Sequence, residues 1–428
     1  MGIEAFAGSG SNRLELGGGP IKILHTADVH LDAPLRSLAL QDPDLRDRVQ
    51  TATRTAFVRI VDTCLAEGAS ALLIAGDLFD GAQRSARTAA FLVEQLDRLR
   101  KAGIRVFYIR GNHDAENPVA GETALPDNVH TFDARGGKVQ LAEDVWIHGV
   151  SFSGRHVPDS LLPRFDAPVP GAVNIAMLHT SLAGAEGHDV YAPCSVADLS
   201  AMGFDYWALG HVHRRQVHGA APWIVMPGTP QGRDMGETGP KSATMLTLGP
   251  GGIGVEEIPT SAVEFVRHEM NVPQDGDDAD LRADLRGALL KAVQGLVSDT
   301  GVVRLTLKAP GPRHWQILRD RDLWTETLHR LAADTGRLWL DRLDIVAAGA
   351  EPAGQGATDE LARLMAQIRA EPGFAETCRL ALEDLAAELP ADRRRALLPD
   401  EDAAAALARA LAEAGAEAMI ARMKGAPD

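Results

Sequence analysis

The sequence predicts an α/β protein: a layered sheet-and-helix core over residues 21–258, a small α+β appendage over 259–347 and a helical region over 348–428. Three observations predict it. From 21 to about 259, short apolar runs alternate with amphipathic helical stretches, the pattern of sheets covered by helices. After a Gly/Pro-rich turn at 249–254 the spacing of strand and helix signals changes. From 358 onward the chain is rich in Ala, Leu, Glu and Arg with apolar residues at helical intervals.

Residues 1–20 are Gly- and Ser-rich and lack a basic stretch followed by an apolar run, so they read as a flexible leader and not a signal peptide. Strands are expected at 21–24, 71–75, 106–109, 145–150, 173–178, 206–209 and 223–225, each an apolar run of strand length. Phe91, Leu92, Leu96 and Leu99 recur at helical spacing and predict a helix over 88–101. The appendage reads as strand 263–270, helix 279–297, strand 302–307, helix 319–333 and strand 338–345. Between 301 and 345, eight Lys/Arg stand against six Asp/Glu, a local net of +2, so this piece is read either as a substrate-capping, DNA-recognition domain or as a dimerisation and packing module. The Gly/Ala/Pro-rich stretch 348–357 reads as a linker. Beyond it, Leu361, Leu364, Met365 and Ile368 share a helical face that either caps the domain or docks a partner.

At 428 residues the chain is long enough for two or three domains. A hydrophobic content of 45% with 24% charged residues is that of a globular enzyme, and no apolar run approaches the roughly 20 residues of a membrane span, so a cytoplasmic location with no membrane association is expected. Cys64, Cys194 and Cys378 are far apart, without CxxC spacing, and are expected to be reduced. A formal charge of −16 argues against coating nucleic acid through bulk electrostatics; contacts to DNA would have to be local or shared with a partner. The chain has no internal repeat and no G-x-x-x-x-G-K-[ST] phosphate loop, so no ATPase of its own is expected.

The chemistry lies in five polar motifs, each placed just past an expected strand, where ligands bind in open α/β sheets. Asp28 and His30 are two residues apart, so on extended backbone they point the same way and can grip one cation. Asp77, in Gly76-Asp77-Leu78-Phe79-Asp80, follows a glycine that permits a sharp turn, and its two oxygens can bridge two metals. In Gly111-Asn112-His113-Asp114, adjacent side chains diverge, letting Asn112 coordinate while His113 faces a substrate. His179 closes the fifth apolar run, and His211 and His213 again stand at i, i+2. A lone His or a DxH tripeptide is uninformative; seven hard or borderline ligands in order after five strands point to a metal site. Two cations about 3.5–4 Å apart would clamp a phosphoryl oxygen and activate a hydroxide for in-line attack on phosphorus. His113 would stabilise the transition state or protonate the leaving alkoxide, with Asp80 orienting it or serving only as a loop or capping residue; Asp114 has the same two readings. An oxygen-and-imidazole shell without cysteine points first to Mn²⁺, with Fe²⁺ or Mg²⁺ as alternatives. Arg110, Arg155, Arg214 and Arg233 are candidate phosphate contacts or surface residues, and His148 and His188 read as core or loop histidines.

The ordered set DxH, GDxFD, GNHD, a later His and GHxH resembles the calcineurin-like metallophosphoesterase superfamily, in particular its bacterial SbcD and YhaO branch of DNA-repair exonucleases. The segments Leu24-His25-Thr26-Ala27-Asp28-Val29-His30-Leu31-Asp32-Ala33-Pro34, Tyr206-Trp207-Ala208-Leu209-Gly210-His211-Val212-His213 and Pro227-Gly228-Thr229-Pro230-Gln231-Gly232-Arg233 carry that likeness, which extends over at least 21–259. The resemblance implies a four-layer α/β/β/α sandwich. It also implies one metal held by Asp28, His30, Asp77 and His213, a second held by Asp77, Asn112, His179 and His211, and His113 as the catalytic histidine. Larger relatives commonly carry a histidine where this chain has Asp80. Relatives of this kind act as dimers with an SMC-like coiled-coil ATPase, for which the C-terminal helices are the expected docking element. The function so implied is that of a DNA exonuclease or endonuclease subunit in repair. The rivals are a phosphoesterase for nucleotides or cyclic nucleotides, sharing the same core, and a non-catalytic regulatory subunit of the ATPase.

Overall fold

The computed structural model describes residues 19–35, 42–80, 85–116, 124–182, 191–349 and 356–426. His188, most of the 1–20 leader and most of the 348–357 linker lie outside them. The chain divides into two units, one of 1–266 with 295–302 and one of 267–294 with 303–428. The first unit therefore runs past the 258 boundary expected from the sequence, and the appendage and the C-terminal helices fall together in the second.

The first unit is built on twelve strands: β1 Ile21–Thr26, β2 Ala71–Ala75, β3 Arg105–Ile109, β4 Val129–Thr131, β5 Gly137–Ala142, β6 Val145–Val150, β7 Val173–His179, β8 Tyr206–Gly210, β9 Gln216–Ala220, β10 Trp223–Met226, β11 Ser242–Gly249 and β12 Gly252–Pro259. They form two six-stranded sheets, ordered β12-β11-β1-β2-β3-β4 and β5-β6-β7-β8-β10-β9. In each sheet the central strands are parallel; β11 pairs antiparallel with β1 and β12, and β5 and β9 pair antiparallel with β6 and β10, while the edge strand β4 is parallel to β3. Parallel strands covered on both faces read as continuous apolar runs, and Ala71–Ala75 and Val173–His179 are buried at every position.

Apolar side chains alternate between two interfaces along each central strand. Ile23, Leu73 and Phe107 of one sheet meet Ile147, Ile175, Met177 and Val225 of the other in a core between the sheets. Leu24, Leu72, Ile74 and Val106 point the opposite way, against Phe57 and Ile60 of helix Ala52–Ala66 and Leu92, Leu96 and Leu99 of helix Ala86–Lys101. The far side of the second sheet buries Trp207, Leu209 and Ile224 with Leu199 of helix Val196–Ala201. The layers are thus helix, sheet, sheet, helix-and-loop. Helix Ala86–Lys101 starts where the Ser85 side chain accepts from Thr88 N–H and ends in Arg98, Arg100 and Lys101, the charge order that a helix dipole favours.

Two features differ from the sequence reading. The Gly/Pro-rich turn at 249–254 is the tip of a hairpin whose strands, β11 and β12, the sequence reading did not include and which complete the first sheet. The expected single helix 319–333 is preceded by another, Gly311–Arg319, with Asp320 between them. The sheet β13-β14-β15 (Val263–Asn271, Thr300–Ala309, Leu338–Ala347) starts in the first unit, at 263–266 and 300–302, and otherwise belongs to the second, which also holds helix Asp278–Gln294. The second unit's C-terminal helices are Ala357–Arg369, Pro372–Ala387, Ala391–Leu397 and Glu401–Lys424. No described helix is long and apolar enough to cross a membrane.

His25, on β1, ties the two sheets together. Its Nε2–H donates to the Leu209 carbonyl at 3.1 Å and its Nδ1 accepts from the Tyr206 hydroxyl at 3.0 Å. Burial, only partly opposed by the bond to Leu209, pushes this imidazole down to about 3. The folded state therefore holds a neutral ring while the unfolded chain takes up a proton below about pH 6.5. Stability from this group is complete above that pH and is lost as pH falls toward 3, a loss of about 2 kcal/mol by roughly pH 5. Urea unfolding at about pH 7.5 and 5 should show wild type losing about 2 kcal/mol more than His25→Gln; equal losses would mean that His25 is not the buried neutral group.

Candidate metal centre

All five motifs sit at one end of the two sheets, after β1, β2, β3, β7 and β8. Backbone bonds align the first two: Asp28 N–H donates to Gly76 O, His30 N–H to Asp77 O and Leu31 N–H to Leu78 O, each at 3.0 Å. Turning the side chains inward strains the backbone. Asp28, His30, Asp77 and His211 all have positive φ, between 45° and 103°, which costs of order 1–3 kcal/mol each in residues other than glycine and persists where the surroundings over-determine it.

Six of the expected ligands come together through their side chains, and the ring of His211 lies 5.2 Å from that of His179. Asp28 and His179 are completely buried, and Asp77, Asn112 and His211 nearly so. Three groups each bring their ligand atoms within 4.8 Å of one another: Asp28 with His30 and His213, Asp28 with Asp77 and His179, and Asp77 with His30 and His113. Nε2 of His30 faces Nε2 of His213 at 3.2 Å. Nε2 of His179 stands 3.1 Å from Asn112 Oδ1 and 3.4 Å from Asp77 Oδ2, and the His211 amide donates to both oxygens of Asp28 at 3.1 and 3.0 Å.

The donor set fits divalent cations. Among the described residues neither Asp28 nor Asp77 is paired with a Lys or Arg, although buried carboxylates require compensating charge. Burial pushes the Asp77 carboxyl up, but the facing imidazole of His179, aided by His30 and His113, holds it well below the usual carboxylate range. In return, burial lowers His179 while Asp77 and Asp28 raise it further, to about 9.

The ligand imidazoles are held from behind, an arrangement that fixes tautomer and ring orientation at metal sites. His179 Nδ1–H donates to Ala75 O at 2.9 Å, leaving Nε2 for the centre. His213 Nδ1 meets Glu237 Oε1 at 2.6 Å. Burial raises Glu237, but His213 and Arg233 outweigh it and bring the carboxyl to about 2. Asp80 Oδ1 lies 3.5 Å from Nδ1 of the candidate ligand His30.

His113 is half-buried at the start of the short helix Asn112–Glu116, with its amide donating to Asp77 Oδ1 at 3.0 Å and its ring 4.9 Å from that of His30. Burial, ahead of the opposing effect of Asp77, sets its pKa below the ordinary histidine value. Asp114 is a brace: buried, it accepts from Phe79 N–H at 3.0 Å and Gly111 N–H at 3.1 Å, joining two motif loops. His148 is a core residue bonded to Asn174 Oδ1 at 3.0 Å. Arg110 and Arg233 are half-buried, whereas Arg155 and Arg214 are exposed. Glu237 was not singled out in the sequence, since it lies 24 residues from its partner in a Gly-rich loop without periodicity.

The glycines that open three motifs make room for His179. A Cβ on Gly210 would overlap the Ala75 carbonyl and stand 2.8 Å from His179 Nδ1, and one on Gly76, whose φ is +92°, would overlap the same ring.

This geometry is matched by comparison with known proteins. Residues 21–215 match the model of the calcineurin-like phosphoesterase family, a span that takes in all seven candidate ligands and His113. The chain therefore carries a calcineurin-like metallophosphoesterase domain. Residues 265–347 match the middle domain of the metallophosphoesterase YhaO. The chain is 35% identical over 246 residues to the uncharacterized metallophosphoesterase YhaO of Bacillus subtilis (strain 168), covering 55% of this chain and 59% of that one. It is 27% identical over 235 residues to the DNA double-strand break repair protein Mre11 of Methanopyrus kandleri, with 49% of each covered. With Mre11 of Sulfurisphaera tokodaii it shares 26% identity over 209 residues, 46% of this chain and 50% of the relative. The chain spans about half the length of the curated relatives it matches.

Proposed function

We propose that the chain is a metal-dependent phosphodiesterase that cleaves DNA, using two divalent cations, Mn²⁺ in the first instance, as a nuclease subunit partnered by an SMC-like coiled-coil ATPase. The observation that carries the hydrolytic reading is the convergence of two buried, Lys/Arg-free carboxylates with four histidines and an asparagine at one end of the sheets. The likeness to proteins named for double-strand break repair supports DNA as the substrate.

Asp28, His30, Asp77 and His213 would hold one cation and Asp77, Asn112, His179 and His211 the other. Bound there, the pair would supply Lewis-acid activation of water and neutralise phosphoryl charge. The chain's own residues do the rest. Asp77 fixes the spacing of the two halves, because one oxygen receives the His113 amide while the other faces His179. His113, held neutral by burial, presents an N–H to a phosphoryl oxygen in the transition state, and a bound phosphate would raise its pKa enough for it to protonate the departing alkoxide. Arg233, half-buried beside His213, has the fork that matches phosphate geometry. The C-terminal helices expose Leu364, Ile368, Leu385, Leu411 and Met419, an apolar surface suited to the ATPase partner, and a homodimer completes the assembly.

The test is hydrolysis of linear double-stranded DNA, single-stranded DNA and bis(p-nitrophenyl) phosphate by purified protein with Mn²⁺. His113→Ala keeps the amide that binds Asp77, so it should retain metal while turnover falls about 10²- to 10⁴-fold. Loss of metal would instead make His113 a ligand. Cleavage of the small ester alone, by protein with its ATPase present, would favour a small-molecule phosphoesterase.

A further inference from the structure

His213, like His30 with Asp80 behind it, is backed by a side-chain carboxylate, here at 2.6 Å. His179 leans on the Ala75 backbone carbonyl of the facing sheet, whereas His213 is held by the carboxylate of Glu237, from a loop 24 residues on. That carboxylate is itself fixed. Its Oε2 accepts the Arg233 amide at 2.8 Å, and the Glu237 amide closes the turn onto Asp234 O at 3.0 Å. The Arg233 guanidinium lies over the same pair, 2.9 Å from His213 Nδ1 and 3.2 Å from Glu237 Oε1. The Glu237 side chain is 16% exposed, so little water competes for its oxygens. Gly232 makes the turn possible, since a Cβ there would stand 2.7 Å from Glu237 O.

Resting on the two-cation reading above, we infer that Glu237 is a positioning residue: by accepting the Nδ1 proton of His213 it aims Nε2 at the centre and determines the affinity of one of the two cations, the one shared with Asp28 and His30. A carboxylate behind a ligand imidazole fixes the tautomer and raises the basicity of the far nitrogen, and its removal typically weakens a metal site 10- to 100-fold. The other cation, whose ligands Asn112, His179 and His211 do not touch Glu237, keeps its affinity. The turn 232–237 thus carries a determinant of metal binding outside the residues that match the phosphoesterase family model.

The experiment is Mn²⁺ titration of the full chain by calorimetry and electron paramagnetic resonance, for wild type, Glu237→Ala, Glu237→Gln and Glu237→Asp. Wild type should bind two ions. Glu237→Ala should weaken one of them about 10- to 100-fold and leave the other within about twofold. Glu237→Gln retains an acceptor oxygen without charge and should fall between the two, and Glu237→Asp should recover part of the loss. A purely structural role would lower the melting temperature and weaken both ions together, or neither. Two ions bound with wild-type affinity in folded Glu237→Ala, or in Glu237→Gln should the alanine variant not fold, would overturn the inference and leave the two-cation reading standing. Failure of wild type to bind a pair would overturn both.

Discussion

Asp77→Asn should abolish Mn²⁺-dependent hydrolysis, by about a thousandfold or more in kcat, equivalent to about 4 kcal/mol of barrier, while the protein stays folded. In the proposed centre Asp77 is the shared carboxylate, facing His179 through Oδ2 and the His113 amide through Oδ1. An asparagine keeps one acceptor oxygen for that amide, so the loop connection survives, but it removes the charge that two cations would share. Rate assays, metal content and thermal unfolding on the same preparation check the result. Unchanged turnover would show that no shared carboxylate is needed.

The largest effect on stability is expected at Gly210→Ala. A methyl group there meets the Ala75 carbonyl and the His179 ring at once, and neither can yield, because Ala75 belongs to a fully buried strand and His179 is bonded to that same carbonyl. The cost should reach about 3 kcal/mol, the upper end of overpacking penalties, together with loss of metal binding. Gly287→Ala is the matching control. It lies in helix Asp278–Gln294 with nothing within 4 Å of the added carbon, so it should be neutral or stabilising by about 0.5–1 kcal/mol. Denaturant midpoints distinguish them; a Gly210→Ala protein as stable as wild type would mean that the two sheets are not in contact at His179.

The central strands and the ligands were legible in the sequence for one physical reason. Parallel strands buried on both faces are uniformly apolar, so the polar residue that ends such a run, such as Asp77 after Ala71–Ala75 or His179 closing Val173–His179, stands out against it. Edge elements lack that contrast. Gly252–Pro259 alternates half-buried and exposed residues and follows a Gly-rich tip, and so reads as a boundary rather than a strand. Helix Ala52–Ala66 mixes Thr and Arg with its buried Phe57, Ile60 and Val61, which blurs its period. The side chains that support the ligands were least legible. Asp80 was close to the motifs, but its partner His30 is fifty residues away, and Glu237 carried no local signal at all. Asp114 shows the converse: a motif residue that the fold uses for two backbone bonds and not for chemistry.

The most direct test is to titrate the wild-type chain with Mn²⁺ and record its electron paramagnetic resonance spectrum. Two ions per chain with an exchange-coupled spectrum, the coupling lost in Asp77→Asn, is the result that a shared carboxylate requires. A single uncoupled ion, or none, would contradict it.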